Sequence, residues 1–348
     1  MSTFFQAKQK IGATSHDGVS KQIEETVGHF QHLTRRYAFF HILFFSFFVC
    51  ELIALLLFLP FLAKSFLLAT LVAATFLTAF SYFVLKFYFQ TKKPEQFLIL
   101  RDTFVQNCQQ LFMMTSDFVE SRRGFLQAIY QLIHCLEGQE HQFYRIPKSL
   151  ETLAPLAQKF SVWCHFGDVH LMKELLHTYC LRTQLDWVKT HPTDLDLHRA
   201  IATGYMALYK IYQNPAHQNV HQGKPTYSFI AKEYASQEMM MKFQKAAQCA
   251  LEELKIVIHT IPHDTWALAQ LAAVYHDLDQ KEEERKTYEA LIQHSPHERE
   301  ARLRLGILYF QLGFMAHGLK VYEDLRRMND PQADELVRHY DLFHSQEL

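Results

Sequence analysis

The 348-residue chain lacks most of what marks a secreted, nucleic-acid-binding or catalytic protein. Its six cysteines (Cys50, Cys108, Cys135, Cys164, Cys180 and Cys249) form no CxxC pair. A disulfide framework calls for a small secreted chain, so these read as buried thiols of a reducing compartment. Lys plus Arg (35) and Asp plus Glu (36) nearly cancel to a formal charge of -1. That leaves no electrostatic footprint for a phosphate backbone, and no nucleic-acid partner is expected. No GxGxxG, GxxxxGK, GxSxG or HExxH motif occurs, and no pair of carboxylates is marked out by spacing. No catalytic residue, cofactor or small-molecule substrate is therefore assigned, and the chain is not expected to be an enzyme. Histidine is plentiful at 21, with His217 and His221, and His259 and His263, four apart. Neither pair has a cysteine or clustered carboxylate beside it, and Pro262 breaks the helix face that would align the second, so no metal site is assigned.

Glycine (11) and proline (10) are also scarce, and β-branched alternation is nearly absent. Long runs rich in Leu, Ala, Gln, Glu and Lys point instead to an all-α chain. The mean hydropathy of only -0.12 beside a 49% hydrophobic share means that the apolar residues are concentrated. They are concentrated between Tyr37 and Phe89. A helix needs roughly 20 apolar residues to cross about 30 Å of hydrocarbon, and segments 38–62 and 66–89 each reach that length. Pro60 with Lys64 and Ser65 supplies the break, so residues 37–90 read as a transmembrane helical hairpin. Glu51 interrupts the first span, at a cost of roughly 2.5–3.5 kcal/mol that its many Leu, Ile, Val and Phe residues outweigh. Thr75 and Thr78 are the hydroxyls expected within its reach across the hairpin. Glu51 is either a proton-relay or partner-helix contact, or a hydrogen-bonded glutamate that the hairpin tolerates.

Arg35 and Arg36 precede the first span, and Lys86, Lys92 and Lys93 close the second. An integral membrane protein with both termini cytoplasmic is therefore expected, its partner on one side being the lipid bilayer itself. No cleavable signal is expected before residue 37. Residues 1–36 read as a polar, flexible segment with a short amphipathic helix from Ser20 to Leu33, Ile23, Val27 and Phe30 facing the membrane surface. Segment 94–146 reads as two linking helices that form a degenerate unit of the C-terminal array.

That array is repetitive. Pro262 and Pro296 lie 34 residues apart, as do Leu271 and Leu305, Ala272 and Gly306, Tyr275 and Tyr309, Tyr288 and Tyr322, and Leu291 and Leu325. The pattern also catches Pro192 with Ile201, Ala202 and Tyr205, and Pro147 with Leu156, Ala157 and Phe160. A small residue beside the Leu lets one helix press against its partner while the aromatic fills the seam, and proline ends the unit. One such unit cannot bury its apolar face alone, so neighbours stack. Over Pro262 to Asp330 the chain resembles the tetratricopeptide-repeat family, departing where Glu284 replaces the usual small residue. The resemblance implies a TPR-like α-solenoid of antiparallel helix pairs over 147–330. An inserted polar loop at 213–228 precedes a long helix from Phe229 to about His259, and 331–348 forms a capping helix and tail.

In that family, partners bind the concave face lined by each unit's first helix. Transferred to this chain, the face comprises Arg199, Thr203 and Met206, then Trp266, Ala273 and His276, then Leu303, Ile307 and Phe310. Such a groove suits an amphipathic helix or apolar peptide, although Leu303, Ile307 and Phe310 are equally placed to be packed by the capping helix. Two functions are compatible with this layout. One is a membrane-anchored scaffold that holds a protein or peptide partner at the cytoplasmic membrane face. The other makes the hairpin the active part, in a transport, secretion or membrane-remodelling assembly, with the repeats as a docking handle. The closely spaced double span is also similar to the bilobed hydrophobic region of inclusion-membrane proteins of obligate intracellular bacteria.

Overall fold

A computed structural model describes residues 2–62, 66–113, 118–144, 152–213, 234–328 and 330–344. Among these there are eleven α-helices and one 3-10 turn, with no strand. The helices are α1 (Ser2–Leu62), α2 (Phe66–Met113), α3 (Phe118–Leu136), α4 (Ala154–Val188), α5 (Leu195–Tyr212), α6 (Gln237–Thr260), α7 (Thr265–Asp277), α8 (Lys281–His294), α9 (Arg299–Gln311), α10 (Met315–Arg327) and α11 (Gln332–His344). Chain neighbours pack against one another, and the molecule divides into two compact units, Met1–Leu176 and His177–Leu348.

In the first unit α1 and α2 run antiparallel, paired at least from Gly18 beside Leu111 to Glu51 beside Thr78. The Asn107 side chain donates to Gln22 at one end, Phe30 meets Phe97, and Thr78 donates to Glu51 far along the pair. Val19, Ile23, Thr26, Phe30, Thr34 and Tyr37 are all buried, three or four apart on one stripe. Phe97, Phe104 and Cys108 of α2 and Ile129, Leu132 and Leu136 of α3 close over it. Beyond Tyr37 the pattern inverts. Phe39, Phe45, Leu56 and Leu57 of α1, and Phe66, Phe76 and Phe80 of α2, turn 64–78% of their surface outward. The exposed band from Phe39 to Leu59 and from Phe66 to Tyr88 is about 31 to 34 Å long at the helical rise per residue. The structure thus holds two helices long and apolar enough to cross a membrane.

Three sequence expectations are corrected here. The expected flexible segment at 1–36 with a separate surface helix is not found over its described part, for α1 passes through residues 2–36 unbroken, and Ile23 and Phe30 are buried in the bundle. The 3-4 apolar spacing that reads as amphipathic is the seam of a helix bundle. Pro94 does not open a new linking helix either, since α2 continues through it. Proline inside a helix forfeits one backbone bond and costs about 3 kcal/mol. Here Tyr37 splints the joint, its ring on Phe89 before the proline (5.4 Å) and its hydroxyl donating to Gln96 after it (2.7 Å). Finally, the helix pair expected after Pro147, which itself lies outside the described residues, is replaced by the single 35-residue α4. Pro155 sits in its first turn, where proline is tolerated, and nothing later breaks it. Asp168 ties α4 to Lys93, and the His165 ring stacks on Phe143 at 4.0 Å.

In the second unit α5 and α6 pair through Ile201, Ala202, Leu208 and Tyr209 on one side and Ala246, Ala247, Ala250, Leu251 and Leu254 on the other. The alanines let the backbones approach. The long helix expected from Phe229 to about His259 is interrupted at Ala235 and Ser236: residues 229–233 lie outside the described residues, and α6 starts at Gln237, where the Ser236 hydroxyl accepts from Met239 N–H as its cap. Apart from Gln213, the expected loop at 213–228 lies outside the described residues.

The next four helices carry the 34-residue copy into the backbone itself. α7 and α9 begin at Thr265 and Arg299, α8 and α10 at Lys281 and Met315. The turn inside the first pair places Asp279 at φ 54°, and its counterpart Gly313 lies at φ 80°. Gln280 N–H donates to Tyr275 carbonyl in one turn, and Phe314 N–H to Tyr309 carbonyl in the other. Close packing explains the small residues: a Cβ on Gly318 would collide with the Phe310 ring, and one on Gly306 would meet Leu336 of α11 at 2.8 Å. Glu284, at the position where a small residue was expected, is fully buried yet does not stand alone. Arg304 donates to it at 2.7 Å and His276 lies 3.6 Å away. Burial would push its carboxyl up, but the bonds to His276 and Arg304 outweigh that and hold it below the usual range.

Two outcomes are expected for the full-length chain in detergent. Gly318→Ala forces the Phe310 ring aside and lowers unfolding stability by about 1–3 kcal/mol. Arg304→Leu strands the Glu284 charge and costs about 3–5 kcal/mol, most of which returns when Glu284→Ala is added. Urea unfolding followed by circular dichroism measures both, and equal losses for the Arg304→Leu single and double variants would contradict the ion-pair assignment.

Candidate functional site

The groove positions carried by the first helices separate into two groups. Arg199 of α5 is partly exposed and donates to Asp264 at 2.5 Å and to Asp196 at 3.1 Å. Asp264 also caps α7, accepting from Ala267 N–H, so one carboxylate positions both the helix start and the guanidinium beside it. Those bonds hold the Asp264 carboxyl below its ordinary range even though burial opposes them. Thr203 is exposed but its hydroxyl is spent on the Arg199 carbonyl. Trp266, two residues past the cap, leaves 38% of its surface outward, Ala273 is half-buried, and His276 is exposed beside Arg304. These residues line one face of α5 and α7.

The others are core. Met206 lies 6% exposed within the α5–α6 cluster. Ile307 and Phe310 are buried with Ala333 and Leu336 of α11, and the half-buried Leu303 packs on the same cluster. They are corrected from groove to core: α11 lies on α9, and burying those side chains against Leu336 and Tyr340 is worth more than leaving them open to water. Sequence reasoning missed the polar ties that register α5 against α7. Tyr209 O–H donates to Asp277 at 2.9 Å, its own acidity pushed out of range chiefly by burial, and Gln213 reaches the same carboxylate. The one available signal was Asp264 directly before a helical run, a capping pattern.

In the first unit, Glu51 and Thr78 do meet, the hydroxyl donating to Oε1 at 3.1 Å. Thr75 does not take part, because its hydroxyl returns to the Leu71 carbonyl. The second carboxylate oxygen of Glu51 is sealed from solvent and has no hydrogen-bond partner among the described residues. Cys50 and Cys135 are exposed, against the expectation of buried thiols, while Cys108 and Cys180 are buried with thiols pushed up to about 12. Among the described residues no group of three or more His, Cys, Asp or Glu side chains is placed to hold a metal ion.

His198 of α5 is buried with both ring nitrogens on acceptors, the Glu253 carboxylate of α6 at 2.6 Å and the Pro192 carbonyl at 3.0 Å. Only the doubly protonated ring donates to both. Burial alone would lower its affinity for the proton, but the bonds to Glu253 and Pro192 prevail and raise it.

No family model matches the chain, and no curated protein does either.

Because the folded form of His198 holds its proton more tightly than the unfolded chain, its contribution is complete below the unfolded value of about 6.5 and fades as pH rises through the higher folded value. The stability gap between the native chain and His198→Gln should therefore narrow as pH is raised from about 6 to about 9. Chemical denaturation across that range reads the gap, and one that stays constant would rule out the charged clamp.

Proposed function

We propose that the chain is a membrane-anchored helical-repeat scaffold, its hairpin crossing the bilayer with both termini in the cytoplasm and its C-terminal helix pairs holding a protein or peptide partner. The observation that carries this reading is the inversion at Tyr37, where a buried bundle seam gives way to an outward-facing apolar band of bilayer thickness. Water-exposed phenylalanines and leucines in such number have no place on a soluble surface. For the other half, the recurrence of helix starts and turn geometry at 34 residues supports a TPR-like stack. The partner face is the α5 and α7 stretch of Arg199, Thr203, Trp266, Ala273 and His276, which suits an amphipathic helix docking its apolar side on Trp266.

A second reading is favoured by one observation, the buried Glu51 carboxylate bound to a single hydroxyl inside the band. Intramembrane acids mark working sites, and on this reading the hairpin is the active element of a transport or membrane-remodelling assembly.

Tags on the two ends, probed with protease in sealed vesicles, should both be cut from the same side. Opposite exposure would end the hairpin reading. Proteins retained by the detergent-solubilised chain should be lost with Trp266→Ala while helix content is unchanged, and kept with Glu51→Gln. The reverse pattern favours the working hairpin.

A further inference from the structure

We infer that the foot of the hairpin is a binding collar for anionic phospholipid headgroups. The inference rests on the membrane-hairpin reading and adds to it a preference among lipids.

The collar lies where the exposed apolar band ends. Segments 35–41 and 82–93 carry Arg35, Arg36, Lys86, Lys92 and Lys93 and not one Asp or Glu. The charges differ in how far the protein itself answers them. Lys92 is paired with Glu95, and Lys93 with Asp168. Arg35 donates to the Phe143 carbonyl at 2.7 Å, a neutral acceptor that orients the guanidinium without cancelling its charge. Arg36 and Lys86 make no hydrogen bond or ion pair among the described residues. Three uncompensated cations therefore stand at this end of the hairpin, Arg35 and Arg36 at the edge of the band and Lys86 about six residues, or about 9 Å, further into it, a depth from which a lysine stem reaches back toward the headgroups.

Aromatic groups line the same end of the hairpin over about two helical turns. Tyr88 is 54% exposed, the Tyr82 hydroxyl meets His41 Nδ1 at 3.3 Å, and Lys93 sits 5.4 Å from the centre of the Tyr37 ring. Lys86 and Lys93 both lie within electrostatic range of the His41 ring. Tyrosines beside long cationic side chains at the end of an apolar band meet the headgroup layer, where phosphate and glycerol oxygens accept from them. The collar is continuous with the band, so a lipid whose tails lie along Phe39 and Phe83 brings its phosphate to the level of Arg36, where the Lys86 ammonium meets it by extending along its own stem. A neutral headgroup carries its own ammonium and offers less to these cations. A phosphatidylglycerol headgroup offers an unopposed negative charge, and each cation near such a surface favours association roughly fivefold.

Native mass spectrometry of the full-length chain in detergent, supplied with phosphatidylcholine or phosphatidylglycerol of identical tails, tests this. Phosphatidylglycerol should be retained about tenfold better, the preference should disappear in an Arg36→Gln, Lys86→Gln double variant, and Arg36→Lys with Lys86→Arg should keep it. Circular dichroism of each variant confirms that the helices stand. Equal retention of the two lipids overturns the collar while leaving the membrane reading intact. Displacement of the bound lipid by inorganic phosphate would identify a soluble phosphate site instead and also overturn it. Failure to retain either lipid removes the membrane reading and the collar together.

Discussion

The antiparallel seam between α1 and α2 is the constraint on which the first unit depends. It begins near Gly18, where α1 comes close to Leu111, and is still intact where Thr78 reaches Glu51. On the proposed membrane reading, one continuous seam serves two solvents. Below Tyr37 a third helix, α3, covers the pair and every large apolar side chain on the stripe turns inward. Above it no helix covers the pair among the described residues, and the outer faces must find another apolar medium. Backbone polar groups would fare equally well in both media because each helix satisfies its own, so two unbroken helices suit such a passage.

That continuity also explains why Pro94 survives inside α2. An isolated helix would end or kink there, but a helix zipped to a partner on both sides of the defect has neighbouring contacts to keep it aligned. Tyr37 provides them with a ring on one side and a hydroxyl on the other, and Phe97, wholly buried just beyond, anchors the resumed helix on Phe30. The same residue therefore marks the end of the water-facing bundle and holds the joint at that level.

How much of this was legible in the sequence depends on the range of the interactions concerned. Hydropathy and spacing are local, so the two apolar spans, the all-helical class and the 34-residue copy could be read directly. Thr75 and Thr78 were legible as the hydroxyls near Glu51, since hairpin geometry leaves few at that depth, but which of the two would bond it was not. Boundaries that depend on tertiary support were not. The polar residues before Tyr37 look flexible until α2 and α3 are placed against them, and α4 looks divisible until nothing is found to break it. Glu284 illustrates the same limit: as a sequence letter it departs from the repeat, whereas in three dimensions Arg304, twenty residues later, supplies the charge that lets it be buried.

The loss of Ile307 and Phe310 from the groove has a physical logic that bears on the partner face. In a row of stacked pairs, the exposed side of one first helix is covered by the next, unless the row ends. Pro331 comes 35 residues after Pro296, nearly the repeat spacing, and α11 starts directly after it. α11 thus stands on α9 where a further first helix would stand, presenting Leu336 to Gly306 and Tyr340 to Phe310. Sealing the end in this way takes the third row of apolar side chains into the core. What stays open is the Arg199 guanidinium, tied to Asp264, with Trp266 beside it and His276 further along α7. On the proposed scaffold reading, a surface built so, with its charges already paired internally and one large aromatic outward, would select a partner by shape and apolar contact rather than by charge.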